Sequence, residues 1–453
     1  MVKTKSKTHE MDMCDGPILS KMLVFAIPLM LSSILQLLFN AADVIVVGKF
    51  AGDNALAAVG STGSLVNLFV NFFMGLSIGA NVLVARFYGA KQERQLKETV
   101  HTAITLSIVS GVALTIIGVI VAPQALQLMQ SPPEVLPLSS LYLRIYFLGM
   151  PASMLYNFGA AILRAVGDTK RPLFYLTIAG VLNVSLNLIF VILFHWSVAG
   201  VALATIISQY VSAVLTLRCL MKEEGFIRVE LKRLGINTDK VKRIMQIGVP
   251  AGLQSVLFSL SNVLIQSSIN SFGATIVAAN SAAGNIEGFA YVAMNAFYQA
   301  NLSFTSQNYG AGKQERINRI LLVAMGCVIV VGIIVGGGFY LLGPQLLSLY
   351  TDSKVVIEAG MVRLAWMLIP YFLCGVMEVF VGSLRGLGYT VFPMIVALVG
   401  SCLLRIVWLQ TVFRIDQFHT IETVYIIYPI SWIVTAFAHF LTYVFVKRKL
   451  LKR

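Results

Sequence analysis

Residues 22–47 read MLVFAIPLMLSSILQLLFNAADVIVV and carry no charge before Asp43. A helix needs about 20 mostly apolar residues to cross a bilayer. The apolar core of a secretory leader stops at about 7–15 residues and ends in a small-residue cleavage site. The run here is longer, and the basic, polar start that precedes it, MVKTKSKTHEMDMCDGPILSK, leads into it with no such site. It is therefore expected to be a retained first membrane span.

Eleven further stretches read the same way, at roughly 55–86, 99–121, 137–163, 172–194, 198–220, 244–271, 275–307, 320–342, 356–384, 393–413 and 423–446. The breaks between them are marked by polar runs such as GAKQERQLK, SPPE, GDTKRP, GAGKQER and TDSK. Composition agrees, because 57% of the 453 residues are hydrophobic and only 12% charged. Soluble domains average about 45–50% apolar and about 25% charged, so this chain cannot coat a soluble surface of its size. A soluble enzyme, a nucleic-acid factor and a disordered scaffold are set aside on that ground. The five cysteines, Cys14, Cys219, Cys327, Cys374 and Cys402, are scattered, with no CxxC or Cys/His spacing. They read as apolar fillers.

The net charge of +14 is best read by side. Twenty-eight of the 34 Lys and Arg fall in the N-terminus, the even-numbered loops and the C-terminus. The other six, Lys49, Arg144, Lys354, Arg363, Arg405 and Arg414, are assigned to the opposite face and its adjoining helix ends. By the positive-inside rule both termini are expected in the cytoplasm.

The chain also repeats itself. FYGAKQER at 87–94 returns as NYGAGKQER at 308–316, and LRAVGDTKRP at 163–172 returns as LRGLGYTVFP at 384–393. Pro28 matches Pro250, and Arg144 with Pro151 matches Arg363 with Pro370. Six spans are thus duplicated, and six is even, so both copies enter the membrane in the same direction. The expected architecture is an all-α integral membrane protein with about 12 transmembrane helices, in two six-helix bundles related by a pseudo-two-fold axis along the membrane normal. The expected divisions are a cytoplasmic tail at 1–20, bundles at 21–221 and 244–447, a cytoplasmic linker at 222–243 and a tail at 448–453.

Charges in mid-bilayer are costly and tend to mark pathways or ion sites. Gln36, Asn40 and Asp43 fall at i, i+4 and i+7 and share one helix face. A plainer alternative pairs Asp43 with Lys49 near the helix end. Glu287 in span 8 and Glu378 in span 10 are the other deep acids, with a helix–helix ion pair or hydrogen bond as the competing structural role. Polar stripes run along span 7 (Ser255, Ser259, Asn262, Gln266) and span 5 (Asn183, Asn187), where amides commonly bind helices together. Other motifs reduce to packing. GLSIG at 75–79 resembles a hydrolase elbow but lies inside an apolar span, and GIIVG at 332–336 is a helix-contact motif. His9, His101, His195, His419 and His439 have no carboxylate or cysteine at ligand spacing, and no catalytic or metal constellation is found.

The duplicated six-span halves, Pro28 followed by Asp43, QNYGAGKQER, the paired LRAVGDTKRP and LRGLGYTVFP loops, and the NxxLN run at 183–187 together resemble the multidrug and toxic compound extrusion transporters of bacteria. The likeness covers roughly residues 20–447. It implies efflux of small organic cations from the cytoplasm by alternating access, in exchange for Na⁺ or H⁺ and with no other cofactor. In that family the span-1 acid shares a cation or proton site with span-5 and span-6 residues, which correspond here to Asp43, Asn183, Asn187 and Thr205. Asn187 departs from the pattern, since many relatives have Asp there. Span 7 has no acid, so a second Na⁺ site of the kind some relatives carry is not expected.

Asp43 can alternate between protonated, Na⁺-bound and free states. Na⁺ is a hard cation, and the amide carbonyls and Thr205 supply oxygen ligands. Cargo is expected between the bundles, drawn by Glu287 and Glu378 and stacked on aromatic rings, with Gln36, Asn40, Asn262 and Gln266 as further lining. The expected protein is a monomer in the bacterial plasma membrane, with lipid and small organic cations as partners and no nucleic acid. The nearest rival is a flippase for a lipid-linked oligosaccharide, whose cavity would be basic where the deep charges here read as mainly acidic.

Overall fold

The computed structural model describes residues 10–129 and 132–451, which form helices and turns with no strand among them. His9 and the outermost residues of both tails lie outside the described residues. The first copy comprises α1 (Ile18–Phe50), α2 (Asp53–Gly89), α3 (Glu93–Leu128), α4 (Leu136–Leu148), α5 (Met150–Ala165), α6 (Lys170–Leu188) and α7 (Ser197–Lys222). The second comprises α8 (Thr238–Asn270), α9 (Ala274–Gly310), α10 (Gln314–Leu341), α11 (Gly343–Ser348), α12 (Lys354–Leu368), α13 (Tyr371–Gly386), α14 (Val391–Ala397), α15 (Leu404–Gln410) and α16 (Ile421–Leu451).

Among the described residues ten helical segments are long and apolar enough to cross a membrane, and the pair α4–α5 makes an eleventh. That pair is bent by 47° at Gly149, beside Pro151. Proline lacks the N–H of a continuing helix and its ring crowds the preceding turn, which accounts for the break. The twelfth expected span, α9, is a single 37-residue helix too polar to be counted with the others. It is buried along most of its length and packs on α10, α12 and α13, so its surroundings are protein rather than lipid. The lipid-facing side of the neighbouring α10 instead exposes Leu322, Val330, Ile333 and Ile334.

The duplication is written into the backbone. Left-handed φ angles recur at Gly52 and Gly273, at Lys91 and Gly312, and at Gly167 and Gly388, each pair 221 residues apart. A side chain resists that conformation, so the extra glycine of NYGAGKQER takes in the second copy the position that Lys91 is bent into in the first. Each copy also holds a π-helical turn, a feature often found at functional sites, but at places that are not equivalent in the repeat: Ile189–Leu193 and Leu398–Leu403 begin 209 residues apart.

By internal contacts the chain forms two compact units, which do not follow the repeat boundaries. Unit 1 takes residues up to Asp12 and Leu31–Gly252, and unit 2 takes Met13–Met30 and Leu253–Arg453. Two of the three divisions therefore fall inside α1 and α8, two residues past Pro28 and Pro250, and the third lies ahead of α1.

Within unit 1, α2 meets the start of α8 at glycines. A Cβ on Gly75 would strike the backbone of Gly252, and one on Gly79 would strike the Ile244 carbonyl. GLSIG is thus a helix-packing motif, as its apolar setting implied. Gly79→Val should destabilise the protein by about 2 kcal/mol or more, because rigid backbone cannot give way as a side chain can. Gly63→Val, on the same helix with open space at its Cβ, should be nearly silent. Thermal unfolding of both variants in detergent checks this, and equal losses would sink the packing argument.

The segment expected as a linker at 222–243 is shorter, since α8 already begins at Thr238. It is docked on unit 1, with Ile227 and Val229 in the core cluster around Leu83 and Ile162. His101 pins it: Nε2 accepts from the Glu230 N–H at 3.0 Å, which leaves Nδ1 to donate to the Lys97 carbonyl at 2.8 Å. Two of the six basic residues assigned to the opposite face and its adjoining helix ends, Arg363 and Arg405, are buried inside unit 2, at 8% and 3% exposed.

Candidate functional site

In unit 1 the polar residues of spans 1, 5 and 6 converge. Asn187 lies one turn beyond Asn183 on α6, and Thr205 on α7 faces the same point. Asn187 Nδ2 donates to Asp43 Oδ1 on α1 and lies 3.4 Å from Asn183 Oδ1. Asn183 Nδ2 stands 3.4 Å from Thr205 Oγ1, which itself donates to the Val201 carbonyl at 2.9 Å. The expected alternative partner, Lys49, makes no ion pair among the described residues, so the amide and not the lysine meets the carboxylate.

The walls of this site are apolar. Val46 and Val47 of α1, Val191 of the π turn, and Val198, Val201 and Ala202 of α7 form one buried cluster with Tyr142. Asn183 and Asn187 are buried, and Asn187 Oδ1 has no hydrogen-bond partner. An orphaned amide oxygen in such a setting leaves a ligand position open. With the Asp43 carboxylate, Asn183 Oδ1 and Thr205 Oγ1 it gives an all-oxygen donor set of one formal negative charge. Such a set suits a single monovalent cation, either a proton on the carboxylate or Na⁺ among the oxygens. Gln36 and Asn40, on the same face of α1 as Asp43, are exposed and hydrogen-bond to nothing among the described residues.

Unit 2 holds a different arrangement. Glu287 of α9 receives two hydrogen bonds from Arg363 of α12, Nε to Oε1 at 2.7 Å and Nη2 to Oε2 at 2.8 Å. The third arginine nitrogen donates to Asn280 Oδ1, and the guanidinium lies 5.4 Å from the Tyr425 ring centre. Asn280 in turn donates to Gln266 Oε1 at 3.0 Å, and Gln266 to Asn270 at 2.8 Å. Glu287 and Gln266 are therefore drawn into one internal network. Asn262 is exposed and outside it, while Glu378 has neither a hydrogen bond nor an ion pair among the described residues. Asn280 and Arg363 are not among the site candidates that the sequence singles out; the signal at Arg363 is the Arg-x₆-Pro spacing it shares with Arg144 and Pro151, a mark of the repeat.

Comparison with known proteins adds the family. A family model described as MatE matches residues 28–189 and again 250–409, so the two copies are matched separately. The probable multidrug resistance protein YoeA of Bacillus subtilis is 28% identical over 384 residues, 83% of each chain. The multidrug export protein MepA of Staphylococcus aureus is 22% identical over 379 residues, 82% of each chain. Among solved structures, the outward-facing conformation of a multidrug resistance transporter superposes with a TM-score of 0.92 at 23% identity, over 99% of this chain and all of that one.

Proposed function

The chain belongs to the MatE family, and on that premise we propose that it is a multidrug efflux carrier whose export of lipophilic organic cations is driven by one monovalent cation, Na⁺ or H⁺, taken up at Asp43. The observation that carries the reading is the meeting of Asp43 with Asn187, Asn183 and Thr205, which leaves the buried Asn187 Oδ1 without a partner. A cation bound there favours one arrangement of the protein only by its difference in affinity between arrangements. That difference is what cargo release draws on.

For the cargo, Glu378 is the deep acid with no hydrogen bond or ion pair among the described residues, while Arg363 neutralises Glu287. Glu378 therefore ranks first for attracting an organic cation. Gln36, Asn40 and Asn262 are exposed polar groups open to cargo or water, and Gln266 acts through the Glu287 network. On this reading the protein works as a monomer in a bacterial plasma membrane, with both termini cytoplasmic.

The test is to reconstitute the protein in liposomes and follow export of an ethidium-type cation under a Na⁺ gradient and a pH gradient, each imposed alone. Export under one gradient that stops when that gradient is dissipated supports the reading and names the ion. No movement under either gradient sinks it. Thr205→Val sharpens the result, because it removes an oxygen and keeps the shape. If Na⁺ is the ion, the half-saturating Na⁺ concentration should rise about tenfold, the equivalent of about 1.4 kcal/mol. If H⁺ is the ion, export should stay within about twofold, since Thr205 makes no bond to Asp43.

A further inference from the structure

The second copy carries, close to the place that duplicates the Asn183 position, a residue of opposite character. Arg405 falls within one residue of that place when the 221-residue offset is applied. It lies well inside the Val391–Arg414 span, just after the π-helical turn, and is 3% exposed. Its Nε donates to Ser431 Oγ at 2.9 Å, and its guanidinium lies 4.2 Å from the ring centre of Tyr428. Ser431 is on α16, the sixth span of its copy, as Thr205 is on α7, the sixth span of the first.

What separates Arg405 from the other buried arginines is what it leaves unused. Arg363 has all three nitrogens engaged, two of them by Glu287. Arg385 commits both terminal nitrogens, to Tyr298 Oη and to Gln254 Oε1. Arg405 forms no salt bridge among the described residues, and its terminal nitrogens have no hydrogen bond there. Only one of five N–H donors is used. A buried charge without an opposite charge is costly, and a cation–π contact with one serine offsets only part of that. The remaining fork of two amino groups matches the geometry of an oxyanion, which it can hold with two parallel bonds.

We propose that Arg405, backed by Tyr428 and Ser431, is an oxyanion subsite in unit 2, which takes the carboxylate of an aromatic cargo or the phosphate of a lipid head group. This goes beyond cation export. With the acid Glu378 in the same unit, it extends the cargo to compounds that carry an acid as well as an amine.

Binding is measured on the full chain in phosphatidylcholine nanodiscs, so the result does not depend on export. The probes are anthracene-9-carboxylate against its methyl ester, and dihexanoyl phosphatidic acid against dihexanoylglycerol. Wild type should favour the charged member of at least one pair by tenfold or more, and the pair favoured tells cargo from lipid as the source. Arg405→Gln should abolish the preference. Arg405→Lys keeps the charge but loses the fork, so it should retain a preference weakened at least threefold. Thermal unfolding of each variant reports folding separately, and if Arg405→Gln does not fold, Arg405→Lys decides. Equal binding within both pairs by wild type overturns the proposal, as does a preference that survives Arg405→Gln undiminished or, when Lys decides, survives Arg405→Lys at full strength.

Discussion

Asp43→Asn should lower gradient-driven export by at least a hundredfold while leaving the protein folded. The substitution keeps size and hydrogen-bonding capacity, so the contact with Asn187 can be remade and no cavity opens. What it removes is the only formal charge in the donor set formed with Asn183, Asn187 and Thr205. At about 4 Å and an effective dielectric near 20, attraction between unit charges is worth about 4 kcal/mol, close to a thousandfold in affinity. The neutral oxygens that remain cannot replace it. Coupling falls with it, because a ligand shifts a conformational equilibrium only as far as its differential affinity allows. Proteoliposome export read beside thermal unfolding and gel filtration separates lost coupling from lost folding. Asp43→Glu should keep partial activity. Export by Asp43→Asn within threefold of wild type would remove Asp43 from the coupling role and move attention to Glu378.

The features legible in the sequence are those encoded locally. Apolar length marks the spans, and the duplicated glycine loops mark the repeat, because a left-handed turn needs glycine or a strained residue at a fixed place. The amides of span 5 were legible as a stripe, since i and i+4 share a helix face, and the family resemblance tied them to Asp43 and Thr205. Pairings between distant helices were not legible. Glu287 and Arg363 are 76 residues apart, and nothing along the chain says which face of α12 meets which face of α9. Composition also cannot tell a buried arginine from one at a helix end, so the burial of Arg363 and Arg405 is not legible along the chain. Nor does it show that the span α9 is surrounded mostly by other helices. The π-helical turns have no sequence signal at all.

The Glu287–Arg363 pair gives the largest expected effect on stability. Breaking a buried pair by removing one partner typically costs 3–5 kcal/mol, because the remaining charge is stranded, whereas replacing both partners can be close to neutral. Arg363→Met leaves Glu287, 6% exposed, without its two hydrogen bonds. Glu287→Gln leaves the guanidinium without an opposite charge, with one amide oxygen in place of two carboxylate oxygens beside Asn280 and the Tyr425 ring. Each single variant should therefore lose about 3 kcal/mol or more. The double variant should recover most of that loss, which makes the coupling between the two sites large and favourable. Thermal unfolding of all four proteins in the same lipid or detergent supplies the cycle, and additive losses would show that the pair does not act as a unit. The same four proteins settle what Glu287 is for. If its role is to hold α9 to α12, the double variant exports lipophilic cations about as well as wild type. If the acid itself receives the cargo, the double variant is stable and inactive.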